Sequence, residues 1–250
     1  MSKRKNILIT GASSGLGAEM ARQFAALGYD LALCARRTEN LDELKKEIES
    51  AHDVRVETKA LDVNDHDAVF RVFHEFADEF GSLDRVIVNA GLGKGQPLGT
   101  GRFDANKQTA ETNFIGALAQ TEAAAEIFRK QNAGHLVMIS SVSAMRGLPR
   151  NVTTYAATKA AVAHLAEGFR ADIHSTPIKV TVLYPGYIIS EMSARSETSF
   201  LMSSTEKGVS SMVNAIEKEK ASARVPGWPW EPLGFAMKHL PFPLARKLLR

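Results

Sequence analysis

Residues 10–17 read Thr10-Gly11-Ala12-Ser13-Ser14-Gly15-Leu16-Gly17, directly after the aliphatic run of Asn6–Thr10. A strand that meets this run must turn sharply, and the helix that opens after it points its free N–H groups into the turn. Without side chains at the glycines, a backbone can come close to a pyrophosphate, whose oxygens those N–H groups hold. The spacing is G-x-x-x-G-x-G, a variant of the G-x-G-x-x-G fingerprint. By itself it also describes a glycine turn with no ligand. Its place after the first strand of a β-α-β chain favours dinucleotide binding by Gly11, Ser13, Ser14, Gly15, Leu16 and Gly17.

Outward from that turn, β-branched and aliphatic runs alternate with helical periods. Candidate strands are Asn6–Thr10, Asp30–Ala35, Val54–Lys59, Asp84–Asn89, Gly134–Ser140 and Ile178–Tyr184. Val86-Ile87-Val88 and Leu136-Val137-Met138-Ile139 are continuously apolar, as expected of strands covered on both faces. Leu41, Leu44 and Ile48 share a helix face, as do Val69, Val72, Phe73, Phe76 and Phe80, with Asn64 or Asp65 as N-cap and Gly81 past the end. Longer helical stretches span Asp104–Lys130 and Asn151–Ser175. Right-handed β-α-β crossovers cover both faces of a parallel sheet, so the expected fold class is α/β and doubly wound. There is no internal repeat and no low-complexity linker. Residues 226–243 carry five prolines and both tryptophans, and are expected to form an irregular C-terminal segment. The expected division is a domain at 1–225 and an extension at 226–250, packing on the domain or on a neighbouring subunit.

Composition fits this reading. In 250 residues, 44% hydrophobic and 24% charged, no apolar run nears the roughly 18 residues of a spanning helix. Cys34 is the one cysteine, which excludes an internal disulfide framework and a cysteine metal cluster and suits a reducing compartment. Lys3-Arg4-Lys5 is followed by too short an apolar run for a signal peptide, so the expected location is cytoplasmic. Of the net charge of +3, the part from Arg224 onward holds five basic residues against Glu231 alone. The basic surplus therefore belongs to the tail, and no broad basic stripe suggests nucleic acid. The seven histidines are scattered, with none paired at i,i+4, so no metal site is expected. No G-x-S-x-G elbow points to hydrolysis.

At the end of the second strand, an NAD site would place a carboxylate on the ribose hydroxyl. Here the chain reads Ala35-Arg36-Arg37. Two guanidiniums suit the 2′-phosphate of NADP(H); the other reading is a solvated arginine pair opening a helix. Asp62, beside Val63, stands as an adenine contact or as a loop-turn residue. Tyr155 and Lys159 fall at i and i+4 on one helix face, where a fixed cation would lower the phenol pKa and let it relay a proton. Ser141 closes a buried strand at its carboxyl edge, where ligands bind in such sheets, and would hold a carbonyl oxygen or simply satisfy backbone. Asn113 has poor propensity for its helical setting, which marks either a functional position or a surface polar one.

Taken together, Thr10–Gly17, Asn89-Ala90-Gly91, Asn113, Ser141, Tyr155/Lys159 and Pro185-Gly186 resemble, in order, the short-chain dehydrogenase/reductase family over about residues 5–220. The resemblance implies a Rossmann-type sheet of about seven strands and an Asn113–Ser141–Tyr155–Lys159 tetrad. It implies Tyr155 as acid/base, Ser141 orienting the substrate oxygen and Lys159 binding nicotinamide ribose. Asn113 would hold a relay water. Asn89, Ala90 and Gly91 would flank the cofactor, with Ile188 and Ser190 near the carboxamide beyond Pro185 and Gly186. Ser190 stands where the family has threonine, and Ser143 is the alternative orienting serine. A homodimer or homotetramer is implied, built through the helices of Asn113 and Tyr155.

The function expected is an NADP(H)-dependent oxidoreductase interconverting a secondary alcohol and a ketone, or a primary alcohol and an aldehyde. A cofactor-binding regulator or scaffold on the same fold is the alternative; it has no need of all four tetrad residues. An epimerase or dehydratase would want a larger substrate domain. The stretch Tyr187–Gly208, with Met192, Phe200, Leu201 and Met202, is long enough for a lid and hints at an apolar substrate. The aromatic and basic tail reads as a cover for the cleft or a subunit, with its aromatics buried. Peripheral contact with an anionic membrane is the alternative, disfavoured because prolines interrupt a sustained amphipathic helix.

Overall fold

The computed structural model describes residues 6–189, 201–241 and 243–244. Seven parallel strands lie in the order β3-β2-β1-β4-β5-β6-β7. They are β1 (Asn6–Thr10), β2 (Asp30–Ala35), β3 (Val56–Ala60), β4 (Arg85–Val88), β5 (His135–Ile139), β6 (Lys179–Pro185) and β7 (Ser222–Val225). Six coincide with the runs read from the sequence, give or take two residues at their ends. β7 was not among those runs: Ser-Ala-Arg-Val is short and lies at the sheet edge, so no apolar stretch betrays it.

Strand side chains alternate between two cores. Leu8, Val86, Val88, Leu136 and Met138 pack under α3 (His66–Phe80), α5 (Gly116–Gln131) and α6 (Thr153–Asp172). Ile7, Ile9, Leu31, Ile87 and Val137 pack under α1 (Gly15–Ala26), α2 (Thr38–Ala51) and α7 (Thr205–Glu217). Each fully buried aliphatic or aromatic side chain stabilises by roughly 1.5–3 kcal/mol, so both layers are strongly specified. Asp65 caps α3 through a hydrogen bond accepted from Ala68 N, and Gly81 ends it in the left-handed region at φ 76°. Of the described residues, no helix is long and apolar enough to cross a membrane.

Two elements differ from the sequence reading. The single helical stretch around Asn113 is α4 (Phe103–Ala110), a π-helical turn at Glu111–Ile115, and α5. The tail is not irregular throughout: Gly227–His239 forms α8. Trp228 is extended (φ −94°, ψ 131°), so the regular helix starts at Pro229. Pro229 and Pro232 thus occupy its first turn, where a missing N–H costs little. The tail aromatics divide: Trp230 is buried, whereas Trp228 and Phe235 are exposed, so the expectation that they are mostly buried does not hold within this chain.

At the amino ends of the strands, Arg85 is buried. Its Nε donates to His135 Nδ1 at 3.0 Å and its Nη1 to Glu217 Oε1 at 2.7 Å. That donor makes Nδ1 an acceptor, so the imidazole proton sits on Nε2, 2.8 Å from Thr181 Oγ1. This polar network joins β4, β5, β6 and α7 at the edge away from the glycine turn.

Candidate active site

The strand order reverses between β1 and β4, and crevices at such switch points, at the carboxyl ends of the strands, bind ligands in open α/β sheets. Here the glycine turn meets Asn89. Thr10 Oγ1 accepts from Asn89 N at 3.0 Å and Ala90 N at 3.1 Å, while Asn89 Nδ2 donates to Thr10 O at 2.9 Å. Gly11 and Gly15 lie at φ 64° and 54°, conformations that glycine adopts without penalty. A Cβ on Gly11 would come within 2.9 Å of Ala90 Cα, and one on Gly17 would overlap Gly11 O.

This cradle fits a dinucleotide phosphate. Ser14, the N-cap of α1, makes no side-chain cap and the first turn carries no acid, so the helix end presents its N–H groups to an anion. Arg37 arches over the turn, donating from Nη2 to Ser14 Oγ at 2.6 Å and from Nε to Ser13 Oγ at 3.4 Å. Arg36 is exposed. Asp62 is exposed and accepts from Asn64 N at 3.1 Å and Asn64 Nδ2 at 3.0 Å, the geometry of a loop-turn residue. Val63 is buried against Gly116.

One strand over, the tetrad residues gather. Asn113 is fully enclosed in the π-helical turn. Its Oδ1 accepts from Leu92 N and its Nδ2 donates to Leu92 O, both at 2.8 Å. Nδ2 also lies 3.4 Å from Thr158 Oγ1. Gly91 is where Asn113 and Lys159 converge, since a Cβ there would stand 3.2 Å from Asn113 Oδ1 and 3.5 Å from Lys159 Nζ. Lys159 is buried, and its Nζ donates to Ile139 O at 2.9 Å. Ser140 Oγ donates to Lys159 O at 2.7 Å, locking α6 to the end of β5.

Tyr155 is half-buried, and the Ser141 hydroxyl is near enough to act on its phenol. Ser141 Oγ also accepts from Ser143 N at 3.1 Å. Ser141 and Ser143 thus stand together at the end of β5, joined by this backbone-to-hydroxyl bond. Burial pushes the Tyr155 phenol up, with the nearby Ser141 hydroxyl pulling the other way. The net direction is opposite to the lowering expected from the neighbouring cation. The phenol's own burial sets this direction, and Lys159 is itself desolvated, its pKa brought down to about 8. It also spends a donor on Ile139 and stands 5.8 Å from the phenol ring centre.

Beyond β6, Ile188 is buried and pairs with Ser203. Ile189 N donates to Ser203 O at 3.0 Å and Ser203 N to Tyr187 O at 2.9 Å, so the ends of the expected lid are pinned together. Leu201 and Met202 belong to this described part, and Gly208 already lies in α7. Ser190, Met192 and Phe200 lie outside the described residues. Gly186 is covered by Trp230, whose indole would overlap any Cβ placed there. Neither Thr10 nor Trp230 was singled out for the site from sequence. A strand-ending threonine has no distinctive pattern, and the Trp230 contact joins segments distant along the chain.

A short chain dehydrogenase family profile matches residues 5–199. The chain belongs to the short-chain dehydrogenase/reductase family. An uncharacterized oxidoreductase of Mycobacterium tuberculosis is 54% identical over 245 residues, covering 98% of this chain and 97% of that protein. Among solved structures, a serine dehydrogenase complexed with NADP+ is 26% identical, with a TM-score of 0.78 over 88% of this chain and 94% of that one. Levodione reductase, 24% identical, shares the fold with a TM-score of 0.82 over 91% of this chain and 98% of that one. This short-chain dehydrogenase/reductase is therefore an oxidoreductase by family, on a nucleotide-binding Rossmann-type sheet.

Proposed function

We propose that this protein is an NADP(H)-dependent oxidoreductase interconverting an alcohol and its carbonyl, with Tyr155 as acid/base. The observation that carries the reading is the convergence of Asn113, Ser141, Tyr155 and Lys159 at the carboxyl edge of β4–β6, beside a glycine turn built for a pyrophosphate. When bound, the dinucleotide supplies or accepts the hydride. Tyr155 Oη donates its proton to the substrate oxygen in reduction and takes it back in oxidation, while Ser141 Oγ holds the same oxygen. Lys159 would bind the ribose hydroxyls of the cofactor beside the phenol. Asn113 has both amide groups engaged by Leu92, so any water it holds is held by its backbone.

Arg36 and Arg37 at the end of β2 support a 2′-phosphorylated cofactor. Arg37 is the stronger candidate, because the Ser13 and Ser14 hydroxyls already hold its guanidinium at the turn. Asn89, Ala90, Gly91, Pro185, Gly186 and Ile188 would hold the nicotinamide half. We propose residues 1–225 as the catalytic domain, with 226–250 covering its cleft, and assembly as a homodimer or homotetramer. The test is NADPH oxidation by purified protein against a panel of apolar ketones and aldehydes, with Tyr155→Phe in parallel. Turnover that disappears in the variant supports the reading; no oxidation with any carbonyl, or an unaffected variant, contradicts it.

A further inference from the structure

The chain between β4 and α4 is pinned by two asparagines. Asn113 holds Leu92 by a pair of hydrogen bonds, and Asn106, in α4, holds Gln96 in the same way. Its Oδ1 accepts from Gln96 N at 2.9 Å and its Nδ2 donates to Gln96 O at 3.0 Å. The amide oxygen has a second lone pair, and Thr154 Oγ1 donates to it at 3.0 Å. Thr154 directly precedes Tyr155 in the first turn of α6. The loop also touches the approach to that turn, since a Cβ on Gly95 would overlap Asn151 O.

Helix ends fray where their free N–H groups lack caps. α6 begins without one: its N-cap is Val152, which makes no side-chain cap. Thr153 Oγ1 bonds back to Arg150 O within the same segment, at 2.9 Å. Thr154 Oγ1 instead reaches across to α4. A proton donor works only while it stays within hydrogen-bond reach of the oxygen it serves, so the placement of this turn matters to the chemistry. We propose that Asn106 is a positioning residue, which holds the first turn of α6, and Tyr155 with it, in register with the Leu92–Gln96 loop. It acts through Thr154 and Gln96 and not on the reacting atoms. The acid/base role of Tyr155 rests on the oxidoreductase reading above; the placement of its ring does not.

The test reads Tyr155 directly. Full-length protein labelled with fluorotyrosine carries four tyrosines, and Tyr155→Phe identifies the fluorine resonance of residue 155. That resonance should move or broaden in Asn106→Ala and in Thr154→Val, which removes the hydroxyl at nearly constant shape. It should keep its wild-type position in Thr154→Ser, which retains the hydroxyl. A signal unmoved in Thr154→Val, or moved as far in Thr154→Ser, overturns the proposal. Reduction of methyl hexyl ketone by NADPH gives the functional readout. A misplacement of about 1 Å can cost about a hundredfold in rate; a loosened turn moves Tyr155 less, so kcat should fall about tenfold in Asn106→Ala. The Kd for NADPH should stay within about twofold. Adding Thr154→Val to Asn106→Ala should lower kcat no further, because the two side chains share one bond. An unchanged kcat, an additive double variant, or an equal loss of NADPH affinity overturns the proposal. If the wild type does not reduce methyl hexyl ketone, the oxidoreductase reading fails for that carbonyl, and the fluorine spectra alone decide whether Asn106 places Tyr155.

Discussion

Asn113 clasps Leu92 from both sides, its amide oxygen accepting from Leu92 N and its amide nitrogen donating to Leu92 O, each at 2.8 Å. The π-helical turn at Glu111–Ile115 swings the side chain inward to do this. It thereby fixes the strand of backbone that runs from Asn89 through Gly91 along the cofactor crevice.

Asn113→Ala removes both bonds and leaves two partly buried backbone groups of Leu92 unpaired. Lost hydrogen bonds of this kind cost about 1–3 kcal/mol in all, so both stability and catalysis should suffer. Urea denaturation should show the loss directly. Turnover of the folded variant should fall as well, and unchanged turnover would remove Asn113 from the site.

Cofactor choice follows from the arginines after β2. NADPH should bind more tightly than NADH, and Arg37→Asp should reverse the preference, with Arg36→Asp having the smaller effect. Charge-assisted contacts are worth about 1.5–3 kcal/mol, or roughly ten- to a hundredfold in Kd. Calorimetric titration of the wild type and both variants measures this, and equal wild-type affinities would contradict the 2′-phosphate reading.

Lys159 makes a pH prediction. Burial brings its pKa from the ordinary 10.5 down to about 8, so between those values the unfolded chain binds more protons than the folded one. Stability contributed at this site therefore rises with pH through that window, by up to about 1.4 kcal/mol per unit. Cys34 and Tyr155, both pushed up by burial, act in the opposite sense at higher pH. The difference in unfolding free energy between cofactor-free wild type and Lys159→Met isolates the lysine. It should increase from pH 8 to 10; a flat difference would show that Lys159 is not desolvated.

At the far edge of the sheet, Glu217→Ala strands the buried Arg85 guanidinium and removes the acceptor of Tyr29 Oη. Breaking a buried pair costs about 3–5 kcal/mol, and Glu217 is partly exposed, so the lower end is expected. Chemical denaturation should show that loss with kcat of the surviving folded protein unchanged.

Most of the sheet could be read from sequence because parallel strands covered on both faces are long apolar runs, as at Leu136–Ile139. The glycine turn and the Tyr155–Lys159 spacing were equally legible, since their chemistry depends on local spacing. Asn113 announced itself only as a poor helix former; the π-helical turn that accommodates it is a tertiary outcome. β7 was hidden in Ser222–Val225 because an edge strand of four residues has no pattern to show. Five prolines argued against a helix in the tail, yet α8 forms because Pro229 and Pro232 fall in its first turn. Trp230 was visible only as an aromatic residue of that tail, and its contact with Gly186 depends on how α8 folds back over the cleft.

The central claim is that Tyr155 transfers the proton. The measurement that tests it most directly is kcat for carbonyl reduction in Tyr155→Phe, alongside the Kd for NADPH. General acid–base groups contribute about 10²–10⁴-fold, so kcat should fall at least about a hundredfold while NADPH binding stays within about twofold. A variant that keeps more than about a tenth of the wild-type rate would contradict the assignment.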